Sequence, residues 1–168
     1  MDRAAARPGG ATAVATVTPM GDRPTIETQA LADIEAIKVL KAQYFYFLDT
    51  KRWDELRALF TDDATFDPAG EGAYTFAGLA GFIAGASAGL ADAVSVHHGH
   101  MPMIELVDAD HATGIWSMTD DVAVAVAGSP PRRFIGKGHY HETYRREQQR
   151  WKIASWKLTR LRVDVVAP

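Results

Sequence analysis

Four long β-type segments, Val94 to Val107, Ala112 to Val126, Arg132 to Arg145 and Arg150 to Val163, follow one another with little more than the short breaks "DADH", "GSPP" and "REQQ" between them. A parallel crossover needs a dozen or more residues, so breaks this short can only turn the chain back on itself, and the segments must pair as an antiparallel meander. A meander buries one face against something else, and the residues before it supply the cover.

The run "TQALADIEAIKVLKAQYFYFLD" has helical period, with Ile37, Leu40, Tyr44 and Phe47 on one stripe and the charged Glu35, Lys38 and Lys41 elsewhere. "KRWDELRALF" reads as a second, short helix, and "ATFDPAGEGAYTF" as extended pieces around a Pro/Gly turn. "LAGFIAGASAGLAD" reads as a third helix, although each interior glycine costs about 1 kcal/mol relative to alanine. Helices first and a meander afterwards make an α+β domain over residues 28–168, preceded by an Ala/Thr/Pro/Gly-rich extension over residues 1–27 that reads as flexible.

Composition narrows the function classes. No apolar run approaches the ~20 residues of a membrane-spanning helix, and "ATAVATV" lacks the profile of a signal peptide, so a soluble, cytoplasmic protein is expected. A net charge of −3 gives no electrostatic reason to bind nucleic acid or an anionic membrane, which leaves a neutral small molecule as the expected partner. The chain has no cysteine, so disulfides, thiolate ligands and a cysteine nucleophile are excluded, and a metal would need histidine and carboxylate.

Successive strand residues face opposite ways. In the second strand the even positions Trp116, Met118, Asp120, Val122 and Val124 form the inward list, and Asp120 is its one carboxylate. A buried carboxylate needs a partner, unless a bulge lets it reach water beside Asp121. In the third strand the even positions include Phe134, Tyr140, Glu142 and Tyr144, which suggests a cavity lined by aromatics and a few carboxylates, with Lys137, His139 and His141 on the wetter face.

The stretch "SVHHGHMPMIEL" carries three histidines in four positions. His98 and His100 point one way and His97 the other, unless Gly99 introduces a bulge. Two ligands do not make a metal site and no HExxH pattern supplies more, so no metal is expected. Tyr44 lies on the apolar stripe of the first helix. Asp49 stands at that helix's end, where the dipole disfavours an anion, so it either caps the second helix or serves a site. In an ideal helix it lies about 140° from Tyr44.

The blocks "DIEAIKVLKAQYFYFLDTKRWDELRALF" and "SVHHGHMPMIELVDADHATGIWSMTDD" resemble the SnoaL-like branch of the nuclear transport factor 2-like superfamily, and within it most of all bile-acid 7α-dehydratase. The resemblance implies a cone in which a curved antiparallel sheet wraps around the helices and leaves a deep apolar pocket. It places Tyr44, Asp49, His97 and Asp120 on the family's catalytic positions. It leaves His98 and His100 to local hydrogen bonding or the pocket wall, which Trp116, Met118, Phe134, Tyr140 and Tyr144 are expected to line as well.

The activity implied is cofactor-independent acid/base catalysis. A dehydratase acting on a polycyclic or polyketide-like hydroxy-carbonyl compound comes first, a cyclase or isomerase second, and a non-catalytic binding or oligomerisation module third. A homo-oligomer, dimer or trimer, is expected. Scytalone dehydratase uses a histidine in the strand that here reads "SMTDDVAV", which has none, so its particular substrate is not expected.

Overall fold

The computed structural model describes residues 28–68, 76–126 and 128–166. The expected extension over residues 1–27 and most of the Pro/Gly turn before Phe76 lie outside them. The elements run α1 (Thr28–Asp49), α2 (Trp53–Ala58), β1 (Phe60–Asp67), α3 (Gly78–Leu90), β2 (Ala93–Leu106), β3 (His111–Val126), β4 (Ser129–Glu147) and β5 (Arg150–Val166). They form an α+β fold around one five-stranded sheet of order β1-β5-β4-β3-β2.

β2 to β5 are the antiparallel meander that the short breaks require, with Asp120 opposite His97 on one side and Gly136 on the other. β1 adds a parallel edge to β5, pairing Phe66 with Trp156, which no break in the sequence foretells. Ile37, Leu40, Tyr44 and Leu48 of α1 are buried in the same core as Trp116, Tyr140, Trp156 and Leu158 of the sheet. Burying each aliphatic side chain contributes about 1.5–3 kcal/mol.

Lys41 corrects the sequence reading. Set among the charges away from the apolar stripe, it is fully buried. It follows Ile37 by four residues and precedes Tyr44 by three, so it shares their face, while Phe47 is only partly buried.

Bulges shift the inward phase twice. One between Gly99 and Pro102 in β2 leaves His98 and His100 outside and turns Met101 and Met103 outward after them. Another where Thr143 and Tyr144 pair with β5 moves the inward set from Trp151 and Ile153 to Trp156 and Leu158.

Candidate active site

Between α1, α3 and the sheet lies a cavity of about 180 Å³. Tyr44 and Leu48 reach it from α1, Phe82, Ala86 and Leu90 from α3, and His97, Asp120 and Tyr140 from β2, β3 and β4. Trp156, Leu158 and Arg160 of β5 complete the wall with Pro68 and Phe76.

His97 is anchored from behind. Its Nδ1 lies 2.6 Å from Asp49 Oδ1, its backbone N–H donates to Asp49 Oδ2 at 2.8 Å, and the Ser95 hydroxyl donates to Asp49 Oδ1 at 2.9 Å. Burial alone would push the Asp49 carboxyl up, but the donors from His97 and Ser95 outweigh it and hold the group below the ordinary aspartate value. An ionised Asp49 accepts only, so His97 Nδ1 carries the hydrogen. Asp49 therefore serves His97 and not α2, which has no side-chain cap.

Asp120 has a partner too. Its Oδ2 is 2.6 Å from Arg160 Nη1, and the pair forms one side of the cavity. The water-exposed reading of Asp120 does not fit this geometry. Gly136 makes room for the pair, since a Cβ there would overlap both the Arg160 guanidinium and Asp120 Oδ1.

Behind the cavity tyrosines lies a buried polar network. Lys41 Nζ is 2.5 Å from Glu142 Oε1, the Tyr144 hydroxyl donates to Glu142 Oε2 at 2.5 Å, and Trp116 Nε1 donates to the Tyr144 hydroxyl at 2.8 Å. The ammonium also sits 4.1 Å from the ring centroid of Tyr44 and 3.7 Å from that of Tyr140. Burial, reinforced by the Glu142 charge, pushes the Tyr44 phenol far above its ordinary range; burial, with Tyr44 and Asp120 nearby, does the same to Tyr140. Both therefore stay protonated as hydrogen-bond donors. Among the described residues the buried Trp156 indole N–H has no hydrogen-bond partner.

An α-helix and a curved sheet closing on a histidine, an aspartate and a tyrosine accord with what the sequence matches over residues 29–157, the SnoaL-like domain. The chain belongs to the SnoaL-like domain family.

Solved structures carry the same fold. A type 2 hexachlorocyclohexane dehydrochlorinase, LinA, superposes with a TM-score of 0.71 at 24% identity, over 82% of this chain and 90% of that one. A provisionally assigned scytalone dehydratase from Novosphingobium aromaticivorans gives 0.73 at 21% identity, over 85% and 93%. A cystatin-like protein from Nostoc punctiforme gives 0.60 at 17% identity, over 77% and 91%. The narrower likeness to bile-acid 7α-dehydratase rests on the two sequence blocks alone.

Of the residues singled out in the sequence, this SnoaL-like domain brings Tyr44, His97, Asp120 and Tyr140 to the cavity, with Asp49 behind His97. The others lie elsewhere. His98 and His100 are exposed on the outer face, their rings parallel and His100 bonded to Thr119, because they alternate away from His97. Trp116 and Tyr144 are spent on each other and on Glu142, and Met118 lies beneath Arg160. Phe134 is half-buried farther along β4, outside the cavity wall.

Sequence reasoning missed Lys41, Ser95 and Arg160 as parts of the site, and it placed Glu142 inward without finding its partner Lys41. Lys41 had a signal in its helical spacing, and Ser95 in sharing a strand face with His97. Arg160 had none, because its phase depends on a bulge. Among the described residues no three histidine, aspartate or glutamate side chains converge as a metal site.

Proposed function

We propose that this protein is a cofactor-independent lyase that removes water from a hydrophobic hydroxy-carbonyl compound by acid/base catalysis. The observation that carries the reading is the Asp49–His97 pair in the wall of an otherwise largely apolar cavity. With Nδ1 committed to Asp49, Nε2 is the nitrogen left to take a carbon-bound proton next to the substrate carbonyl. Negative charge then builds on the carbonyl oxygen, where the Tyr44 hydroxyl donates, assisted by the Arg160 guanidinium that Asp120 holds in place. The protonated His97 returns its proton to the departing hydroxyl, which leaves as water.

Size narrows the substrate. A cavity of about 150 Å³ accommodates benzene, so 180 Å³ holds one substituted six-membered ring. A polycyclic or polyketide-like compound keeps only its reacting ring inside. The likeness in fold to a dehydrochlorinase supports elimination ahead of cyclisation or isomerisation, since loss of chloride and loss of water both pair removal of a carbon-bound proton with departure of a group from the neighbouring carbon.

The test is to incubate the protein with monocyclic and polycyclic β-hydroxy carbonyl compounds and follow loss of water by mass spectrometry. His97→Ala is expected to lower turnover at least ~100-fold with thermal stability nearly unchanged. Full turnover in that variant would remove the reading. Tight binding of the compounds without any product would favour a carrier instead.

A homo-oligomer, dimer or trimer, belongs to the same reading. Met101, Met103, Leu161 and Val163 are exposed along β2 and β5, and a second copy that covered them would bury apolar surface. Light scattering is expected to give a multiple of the 18.3 kDa chain mass; a monomer at micromolar concentration would contradict it.

A further inference from the structure

The hydrogen-bonded chain behind His97 does not end at Asp49. Lys51 Nζ lies 2.8 Å from Ser95 Oγ, Ser95 Oγ lies 2.9 Å from Asp49 Oδ1, and Asp49 Oδ1 lies 2.6 Å from His97 Nδ1. The polarity of this chain is forced. An ammonium only donates, so Ser95 accepts from Lys51 with a lone pair, and its single O–H is left for Asp49. The carboxylate thus receives three hydrogens, from the Ser95 hydroxyl and from the backbone and ring of His97, all of them from β2.

The backbone supports the same conclusion independently. Lys51 has φ of 62°, the left-handed region where glycine or asparagine is the ordinary choice for the residue that ends a helix. A lysine held there is held against its preference, and its ammonium is drawn partly out of water toward Ser95.

We propose that Lys51, acting through the Ser95 hydroxyl, is a positioning residue for the Asp49–His97 pair: it fixes the direction of the hydroxyl hydrogen and supplies the positive charge that the C-terminal end of α1 lacks. The role in catalysis rests on the elimination reading above. The electrostatic arrangement does not, so the two fail separately. The other ionisable groups around the cavity are Asp120 of β3 with its partner Arg160 of β5, and the phenols of Tyr44 and Tyr140. Substitutions at Lys51 leave all four in place.

The test is the acid titration of Asp49, read from its side-chain carboxyl carbon by NMR in the wild type, Lys51→Met, Lys51→Gly and Ser95→Ala. Losing either the cation or the oriented hydroxyl makes the carboxylate easier to protonate, so the midpoint is expected to rise by roughly half a pH unit in all three variants. Lys51→Arg, which restores a cationic donor, is expected to move it back toward the wild type. Lys51→Gly suits the left-handed backbone, so a fold damaged by Lys51→Met does not leave the question open. A midpoint that stays at the wild-type value in Lys51→Gly and Ser95→Ala would overturn the proposal. With a substrate in hand, the same variants should lower kcat more than they change KM.

Discussion

Asp49 stands where the dipole of α1 disfavours a carboxylate, and three donated hydrogens there offset that cost. Asp49→Asn keeps the shape but removes the charge that balances a protonated His97. It should therefore lower turnover by about 100-fold or more, measured on whatever compound the wild type dehydrates. His98→Ala and His100→Ala, on the outer face, should leave turnover near the wild-type rate in the same assay. That His97 faces the cavity while His98 and His100 face outward was legible in the sequence, since alternation alone separates His97 from the other two and the resemblance chooses between the faces. The partner of Asp120 was not legible. Alternation places the carboxylate inside, but Arg160 lies forty residues on, beyond a bulge that resets the phase of β5. Gly136→Ala should push Arg160 off Asp120 and, because the guanidinium assists where negative charge builds, lower kcat more than it changes KM, which separate measurements of the two would reveal.

Helix α1 and strand β4 meet through a buried charge pair, Lys41 with Glu142, that alternation and amphipathic patterning are poorly suited to find. Patterning treats a lysine as a surface residue, because taking an ammonium out of water costs several kcal/mol unless a partner compensates. Here Glu142 and the faces of Tyr44, Phe45 and Tyr140 are the compensation. Lys41→Met leaves Glu142 buried without its cation and should cost about 3–5 kcal/mol in denaturant unfolding. The double variant Lys41→Met, Glu142→Leu should recover most of that loss, because a buried pair replaced by apolar groups of similar volume is often neutral. A double variant no more stable than Lys41→Met would show that Lys41 acts through packing and not through its charge. The long elements themselves were readable from the helical spacing of Ile37, Leu40 and Tyr44 and from the shortness of the breaks between strands, whereas the bulges at Gly99 and near Tyr144 leave no periodic mark. Gly99 is a partial exception, since a Cβ there would strike the ring of Phe45.

Over the whole molecule, the α+β architecture followed from the order of elements and the shortness of three breaks. The parallel pairing of β1 did not, because a single strand's direction depends on how the chain returns to the sheet. The size of the cavity did not either, as it depends on how far α3 and β5 stand apart. Acid sensitivity also belongs to this scale. Asp33 and Asp49 are both held below the ordinary value of 3.8, since hydrogen bonds outweigh the burial that opposes them, from Arg146 for Asp33 and from His97 for Asp49. A depressed carboxyl contributes stability that is complete above its unfolded value and disappears as pH falls through the folded one. Unfolding by urea should therefore become easier as pH drops below about 4, and less steeply so in Asp49→Asn. The central claim, that His97 takes a proton from carbon in the cavity between α1, α3 and the sheet, is tested most directly in deuterium oxide. With a hydroxy-carbonyl substrate, the account predicts that the wild type exchanges or removes the hydrogen next to the carbonyl while His97→Ala leaves it in place, as followed by proton NMR. Loss of that hydrogen at the wild-type rate in His97→Ala would contradict it.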